Sequence, residues 1–279
     1  MREVKKLALL IGSAEYQDQQ LRRLKAPAAD VSALRRVLIR PDIGGFAEAD
    51  VIVLPNPGKA DAERALTRLF LSKGRQKDDL VLFYFSGHGV LDHAGDLFLA
   101  LPHSEYEDPH GTMLWASQVK TIMDRSPSRR VVVILDCCHS GAFQRSTKSG
   151  HGPGSPAVTE ATFEPQGYGR EVLTSSALTQ YAYDGDELLG DGATSLFTRY
   201  LIQGLETGEA APGSEMISVE QLFRYVYRQV VGATPKMTPQ RWVDAQMGSL
   251  IIARNPEPWA GAIPAAMSEL LDDDRPLVR

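Results

Sequence analysis

Two short polar sequences carry the reactive side chains of this protein. The first is Ser86-Gly87-His88-Gly89 and the second is Asp136-Cys137-Cys138-His139-Ser140-Gly141. Each follows an apolar run, 79–85 (DLVLFYF) and 130–135 (RVVVIL). Histidine titrates nearest neutrality, and a cysteine thiolate is a strong nucleophile. Covalent catalysis by cysteine needs that thiolate beside a base, with N–H donors for the oxyanion of the tetrahedral intermediate. Gly87, Gly89 and Gly141 allow sharp turns and close approach of backbone to a substrate. Cys137 and Cys138 are the only cysteines in the chain. As neighbours they cannot form an unstrained disulfide of normal Cα spacing, which excludes a disulfide-stapled secreted scaffold. Either these cysteines are incidental core residues, or one of them is kept for chemistry.

Reactive groups of open α/β sheets gather beyond the carboxyl ends of the strands. If runs 79–85 and 130–135 are neighbouring strands, His88 and a cysteine are presented side by side. The rest of the chain supplies such a sheet. Strands are predicted at 5–12, 50–54, 170–176 and 248–253, and helices at 27–39, 59–73, 115–125, 193–206 and 218–231. A small hairpin is predicted at 90–101. Continuously apolar strands alternating with helices predict a mostly parallel sheet covered on both faces. Residues 144–168 are rich in Gly, Pro, Ser and Thr and read as a long loop. The domain is expected to span 1–254, followed by an acidic, Pro-containing tail or linker at 255–279.

Thirty Lys+Arg against 35 Asp+Glu leave a formal charge of −5, with 43% hydrophobic and 23% charged residues, an ordinary globular composition. A chain of 279 residues can bury a core without metal or disulfide support. Its acidic balance predicts no attraction to nucleic acid or to an anionic membrane. No run reaches the ~20 apolar residues of a membrane span, and the cytoplasm is the expected compartment. His93, His103, His110 and His151 lack metal-ligand spacing and are expected at the surface. Arg22, Arg23, Arg35 and Arg36 form a local basic excess, either a solvated helix face or a docking surface for an acidic partner.

The pair SGHG and DCCHSG, with His88 fifty residues before Cys138, resembles the motif pair of caspase-like cysteine peptidases. The second motif is similar to the D-x-C-H-S-G of metacaspases and their prokaryotic relatives. The resemblance spans about residues 4–254 and implies the caspase-haemoglobinase fold, with a central, mostly parallel six-stranded sheet and helices on both faces. It implies a cysteine endopeptidase in which Cys138 is the nucleophile and His88 its acid/base partner. The backbone N–H groups of Gly89 and Cys138 match the oxyanion hole. Cys137 occupies a variable position and is expected to point into the core, and His139 is expected to have no direct catalytic role.

The same resemblance makes Asp136 and Asp30 candidates for the pocket that receives the residue before the cleaved bond, P1, with Ser86 as a polar wall. Two carboxylates there favour Arg or Lys, because a guanidinium suits paired negative charge. The plainer alternatives are an N-cap for Asp30 and a strand-end hydrogen bond for Asp136. Arg145 and Lys148 suit self-cleavage by a basic-P1 enzyme, or belong to a plain solvated loop. Some relatives need calcium. The acidic residues Asp184, Asp186, Glu187 and Asp191 lack EF-hand spacing, and Arg145 falls near an expected acidic position, so no cofactor is expected. Relatives are linked with programmed cell death or antiphage defence, which implies latency until a partner or small signal activates the enzyme. The competing function is a catalytically silent adaptor that signals by binding proteins.

Overall fold

The computed structural model describes residues 4–137, 168–175 and 194–258. Strand β1 (Lys6–Gly12), whose last five residues are buried, leads into α1 (Ala26–Ile39). Pro27 sits in the first turn of α1, where a missing N–H costs nothing. β2 (Val51–Pro55) and α2 (Lys59–Leu71) precede β3 (Leu80–Ser86), which is buried throughout. β4 (Gly89–Leu91) and β5 (Leu97–Leu99) form the expected hairpin, turned by Gly95 at φ +82°. The single-turn helix α3 (Pro109–Thr112) leads to β6 (Leu114–Trp115), which pairs with β5. α4 (Ala116–Asp124) is followed by β7 (Arg130–Asp136), again wholly buried. The remaining elements are β8 (Tyr168–Thr174), α5 (Leu196–Glu206), β9 (Met216–Ser218), α6 (Val219–Ala233), β10 (Gln240–Met247) and β11 (Ile251–Arg254).

The main sheet has six strands in the order β10-β8-β7-β3-β1-β2, with only β10 antiparallel. β3 and β7, the strands that carry the two reactive motifs, are direct parallel neighbours in a register that sets Ser86 opposite Asp136. The juxtaposition expected from the apolar runs is therefore present. One layer of core packs α1, α5 and α6 on the face of Leu10, Leu82 and Ile134. The other packs α2 and α4 on the face of Leu9, Phe83 and Val133.

The sixth strand differs from the expectation. Residues 251–254 pair with β9 in a separate two-stranded ribbon, and the sheet is completed by 240–247. QRWVDAQM alternates apolar and polar side chains, and Val243 is 41% exposed. An antiparallel edge strand needs only one buried face, so it lacks the continuous apolar run that marks the central strands. GSLIIA has such a run but uses it beneath the ribbon.

Lys6 is drawn into the end of the core where the parallel strands begin. Its Nζ donates to the Gly44 carbonyl at 2.7 Å and lies 5.7 Å from the Phe46 ring centre. Burial first, then the charges of Arg130 and Arg254, lower its pKa from 10.5 to about 8. Between those values the unfolded chain binds more protons than the folded one, so stability rises with pH across that window. Lys6→Met should therefore be more stable than wild type near neutrality and lack the rise above about pH 8. Urea unfolding followed from neutral to alkaline pH checks this; a variant that keeps the wild-type slope contradicts it.

Candidate active site

His88 follows β3 at the carboxyl edge of the sheet and is held from both sides of its ring. Its Nε2 lies 2.8 Å from the Arg22 carbonyl. A carbonyl only accepts, so Nε2 carries the proton and Nδ1 the lone pair. The Tyr16 ring packs against the imidazole at 4.9 Å between centroids. Tyr16 Oη also accepts from the His88 N–H at 3.1 Å and donates to the Ser13 carbonyl at 2.6 Å. The chain leaving β1 thus orients the histidine that leaves β3.

The residue after it is also constrained. Ala100 N–H donates to the His88 carbonyl at 2.9 Å, in the register that pairs Gly89 with Leu99. Gly89–Leu99 is then a non-hydrogen-bonded pair, and the Gly89 N–H is turned away from β5. Gly87 is needed for the bend, since a Cβ there would lie 2.8 Å from the Phe85 ring and 3.1 Å from the Ser13 carbonyl.

On the α1 and α5 side of the same edge, two buried carboxylates share one hydrogen-bond network. Asp30 is 0% exposed; its Oδ2 accepts from Ser86 Oγ at 2.7 Å and its Oδ1 from the Ser195 N–H at 2.8 Å. Asp136 is 6% exposed; its Oδ2 accepts from Ser195 Oγ and from Thr198 Oγ1, the latter at 2.7 Å. Ser195 Oγ accepts in turn from the Thr198 N–H at 3.0 Å, which caps α5. Tyr84 Oη lies 2.6 Å from Thr198 Oγ1. Because Thr198 gives its proton to the carboxylate, the order of donation is Tyr84 to Thr198 to Asp136. Burial first, then the charges of Asp30 and Asp136, push the Tyr84 phenol well above its usual pKa of 10.0, so it keeps the proton it donates.

Asp30, Asp136 and Ser86 are therefore brought together. Asp30 is not an N-cap: α1 begins at Ala26, one turn earlier, with Lys25 at the cap. The donors described here are hydroxyls and a peptide N–H, which stabilise negative charge without cancelling it. Ser195, Thr198, Tyr84 and Tyr16 escape a reading of the motifs. The sequence places Ser195 inside a helix over 193–206, whereas it caps α5; its contacts with positions 30 and 136 arise on folding.

Cys137 is 1% exposed and packs with the α2 and α4 layer, as its place in the motif suggested. Cys138 and His139 lie outside the described residues, as do Arg145, Lys148, His151, Asp184, Asp186, Glu187 and Asp191. No group of three or more His, Cys, Asp or Glu among the described residues could hold a metal ion. His93 and His103 are exposed, and His110 contacts Asp92 at 3.0 Å beside Phe98 and Trp115. Of the clustered arginines, Arg23 pairs with Glu15, Arg35 with Glu48 and Arg36 with Glu206. Those pairings fit a solvated face. Among the described residues no helix is long and apolar enough to cross a membrane.

Ser195→Ala should remove a buried donor to Asp136 and the α5 cap together. A stability loss of about 1–3 kcal/mol is expected in denaturant unfolding. A change below about 0.5 kcal/mol would contradict the geometry.

The architecture is shared with solved structures. Caspase-1 from Spodoptera frugiperda matches with a TM-score of 0.58 and 13% identity, over 89% of this chain and 90% of that one. A structure of pro-sf-caspase-1 matches with a TM-score of 0.57 and 13% identity, over 90% and 92%. At that identity the likeness shows the fold, the caspase-haemoglobinase fold. No curated protein matches the chain. A family model described as the caspase domain matches residues 5–252. With its sheet, its paired motif strands and that match, the chain belongs to the caspase domain family of cysteine peptidases.

Proposed function

We propose that this protein is a cysteine endopeptidase that cleaves after Arg or Lys. Cys138 attacks the scissile carbonyl, and His88, with its lone pair on Nδ1, takes the thiol proton and returns it to the departing amine. The N–H groups of Gly89 and Cys138 hold the oxyanion. The P1 side chain enters beside Asp30, Asp136 and Ser86. The observation that carries the specificity is the network in which two buried carboxylates, 0% and 6% exposed, are fixed by neutral donors. A guanidinium or ammonium offers these carboxylates opposite charge together with several N–H donors. An aspartate at P1 would meet like charge.

The enzyme is latent until a partner or small signal activates it, and acts on protein substrates in prokaryotic programmed cell death or antiphage defence. That part rests on the metacaspase-like D-x-C-H-S-G motif alone. Arg145 and Lys148 are its candidate self-cleavage positions, and no cofactor is required for the chemistry described.

Fluorogenic peptides with Arg, Lys or Asp at P1 provide the test. Turnover is expected after Arg and Lys, and none in Cys138→Ala. Asp136→Asn should lower kcat/KM for Arg substrates by about 30-fold or more, as removal of one partner from a buried charge pair does. Turnover after Asp but not Arg would sink the specificity, and peptidase activity surviving in Cys138→Ala would sink the nucleophile.

Alkylation separates the two cysteines. Iodoacetamide should inactivate the enzyme by modifying Cys138 and spare Cys137, which is 1% exposed; peptide mapping reads the site, and inactivation through Cys137 alone would contradict the assignment.

A further inference from the structure

His88 depends on a stretch of chain with no regular structure of its own. Residues 13–25 join β1 to α1 without a helix or strand. Yet they supply the Tyr16 ring and the Arg22 carbonyl that hold the imidazole. A loop keeps a side chain in one orientation only if its own backbone groups are tied down. The outer part is tied to the chain after β5: Gln17 N–H donates to the Pro102 carbonyl at 2.9 Å, and Tyr106 N–H to Asp18 Oδ2 at 2.7 Å. The base of the loop is tied by a single side chain from another strand.

That side chain is Asn56, which follows β2 in the sequence Pro55-Asn56-Pro57-Gly58. Its Oδ1 accepts from the Ala14 N–H at 2.8 Å and from the Glu15 N–H at 3.1 Å. Its own N–H donates to the Gly12 carbonyl at 2.7 Å. The Ala14 carbonyl in turn accepts from the Leu24 N–H at 2.9 Å, so Ala14 joins the two ends of the loop. One amide oxygen thus fixes the base from which Tyr16 projects and, through Leu24, the stretch that presents the Arg22 carbonyl. The backbone of Asn56 is unusual as well. Its φ is +49°, and no other non-glycine among the described residues has a positive φ. Glycine takes that conformation at lower cost, so an asparagine there points to a use for the carboxamide. Residues held in sparsely populated backbone regions gather at functional sites.

We infer that Asn56 is a positioning residue for His88. It touches neither the imidazole nor a substrate, and acts through the loop. The ends of three neighbouring strands are linked in one direction: Asn56 after β2 holds the chain leaving β1, and that chain holds the histidine leaving β3. For its effect on turnover the inference rests on the peptidase reading; for the state of the His88 ring it does not.

Two variants of the full chain test it. Asn56→Gly keeps the backbone conformation accessible and removes the acceptor, whereas Asn56→Asp keeps an acceptor of the same size. Slow amide exchange in β3 and β7 confirms an intact sheet in each. Long-range proton–nitrogen correlation at alkaline pH, where the ring is neutral, reads the tautomer; the His88 signals are identified by their loss in His88→Gln. The wild type should carry its proton on Nε2, Asn56→Gly should show a mixture of both tautomers, and Asn56→Asp should restore Nε2–H. On an Arg peptide, kcat should fall about tenfold or more in Asn56→Gly with KM within about twofold, and recover to within about threefold in Asn56→Asp. A pure Nε2–H tautomer in Asn56→Gly overturns the inference, as does an equal loss in Asn56→Asp. A tautomer change in Asn56→Gly, in a protein whose wild type cleaves no peptide, upholds the positioning role and sinks the peptidase reading instead.

Discussion

The constraint on which the carboxyl edge of this sheet depends is the burial of two like charges in one place. Asp30 and Asp136 come from α1 and from the end of β7, and each is held by groups from other elements. Burying a carboxylate costs several kcal/mol unless its oxygens are hydrogen-bonded, and two together cost more. Ser195 answers both: its N–H serves Asp30, its hydroxyl serves Asp136, and the same hydroxyl caps α5. The network therefore ties α1, β3, β7 and α5 at a single node. Its geometry also depends on Gly12, where a Cβ would lie 2.7 Å from the Pro27 carbonyl. Only a glycine at that point lets α1 come close enough to β1 to bring Asp30 to the edge.

The histidine is organised by different means. It depends on backbone and one aromatic ring, with the Arg22 carbonyl setting the tautomer and Tyr16 fixing both the ring and the main chain. A carbonyl is a neutral acceptor, so it orients the imidazole without adding a buried charge. The two halves of the site lie on adjacent strands, yet the charged half is built into the α1 and α5 layer.

Buried polar residues of the central strands β1, β3 and β7 concentrate at the two ends of the sheet. Along the face covered by α1 and α5, Lys6 and Arg130 lie where the parallel strands begin, and Ser86 and Asp136 where they end. Between them Ala8, Leu10, Leu82, Tyr84, Val132 and Ile134 fill the layer, with the Tyr84 hydroxyl as its one polar reach toward the carboxylates. In the central strands β1, β3 and β7 the polar groups sit where the ladders stop, since a group in the middle has no partner but other side chains; in the flanking β8 the buried Glu171 does sit mid-strand, and Arg241 partners it at 2.7 Å. The reactive motifs follow their strands for the same reason.

The strands β1, β3 and β7 and the amphipathic helices were legible in the sequence because hydrophobic period reports burial directly. The motifs at 86–89 and 136–141 single out His88 and the cysteine pair, since few other side chains do their chemistry. The edge strand 240–247 was not legible, because half-exposed alternation is weak and the apolar run at 248–253 competed with it. Ser195, Thr198, Tyr84 and Tyr16 were invisible as partners of the site, for they reach it across 59 to 165 residues of chain or by a ring contact. The sequence alone determined which reactive groups exist and which strands deliver them, as local pattern and residue type suffice for that. Only the tertiary structure decided that Ser195 and Thr198 join Asp30 and Asp136 in one network, because hydrogen bonds among buried polar groups are set by how layers pack and not by the order of residues.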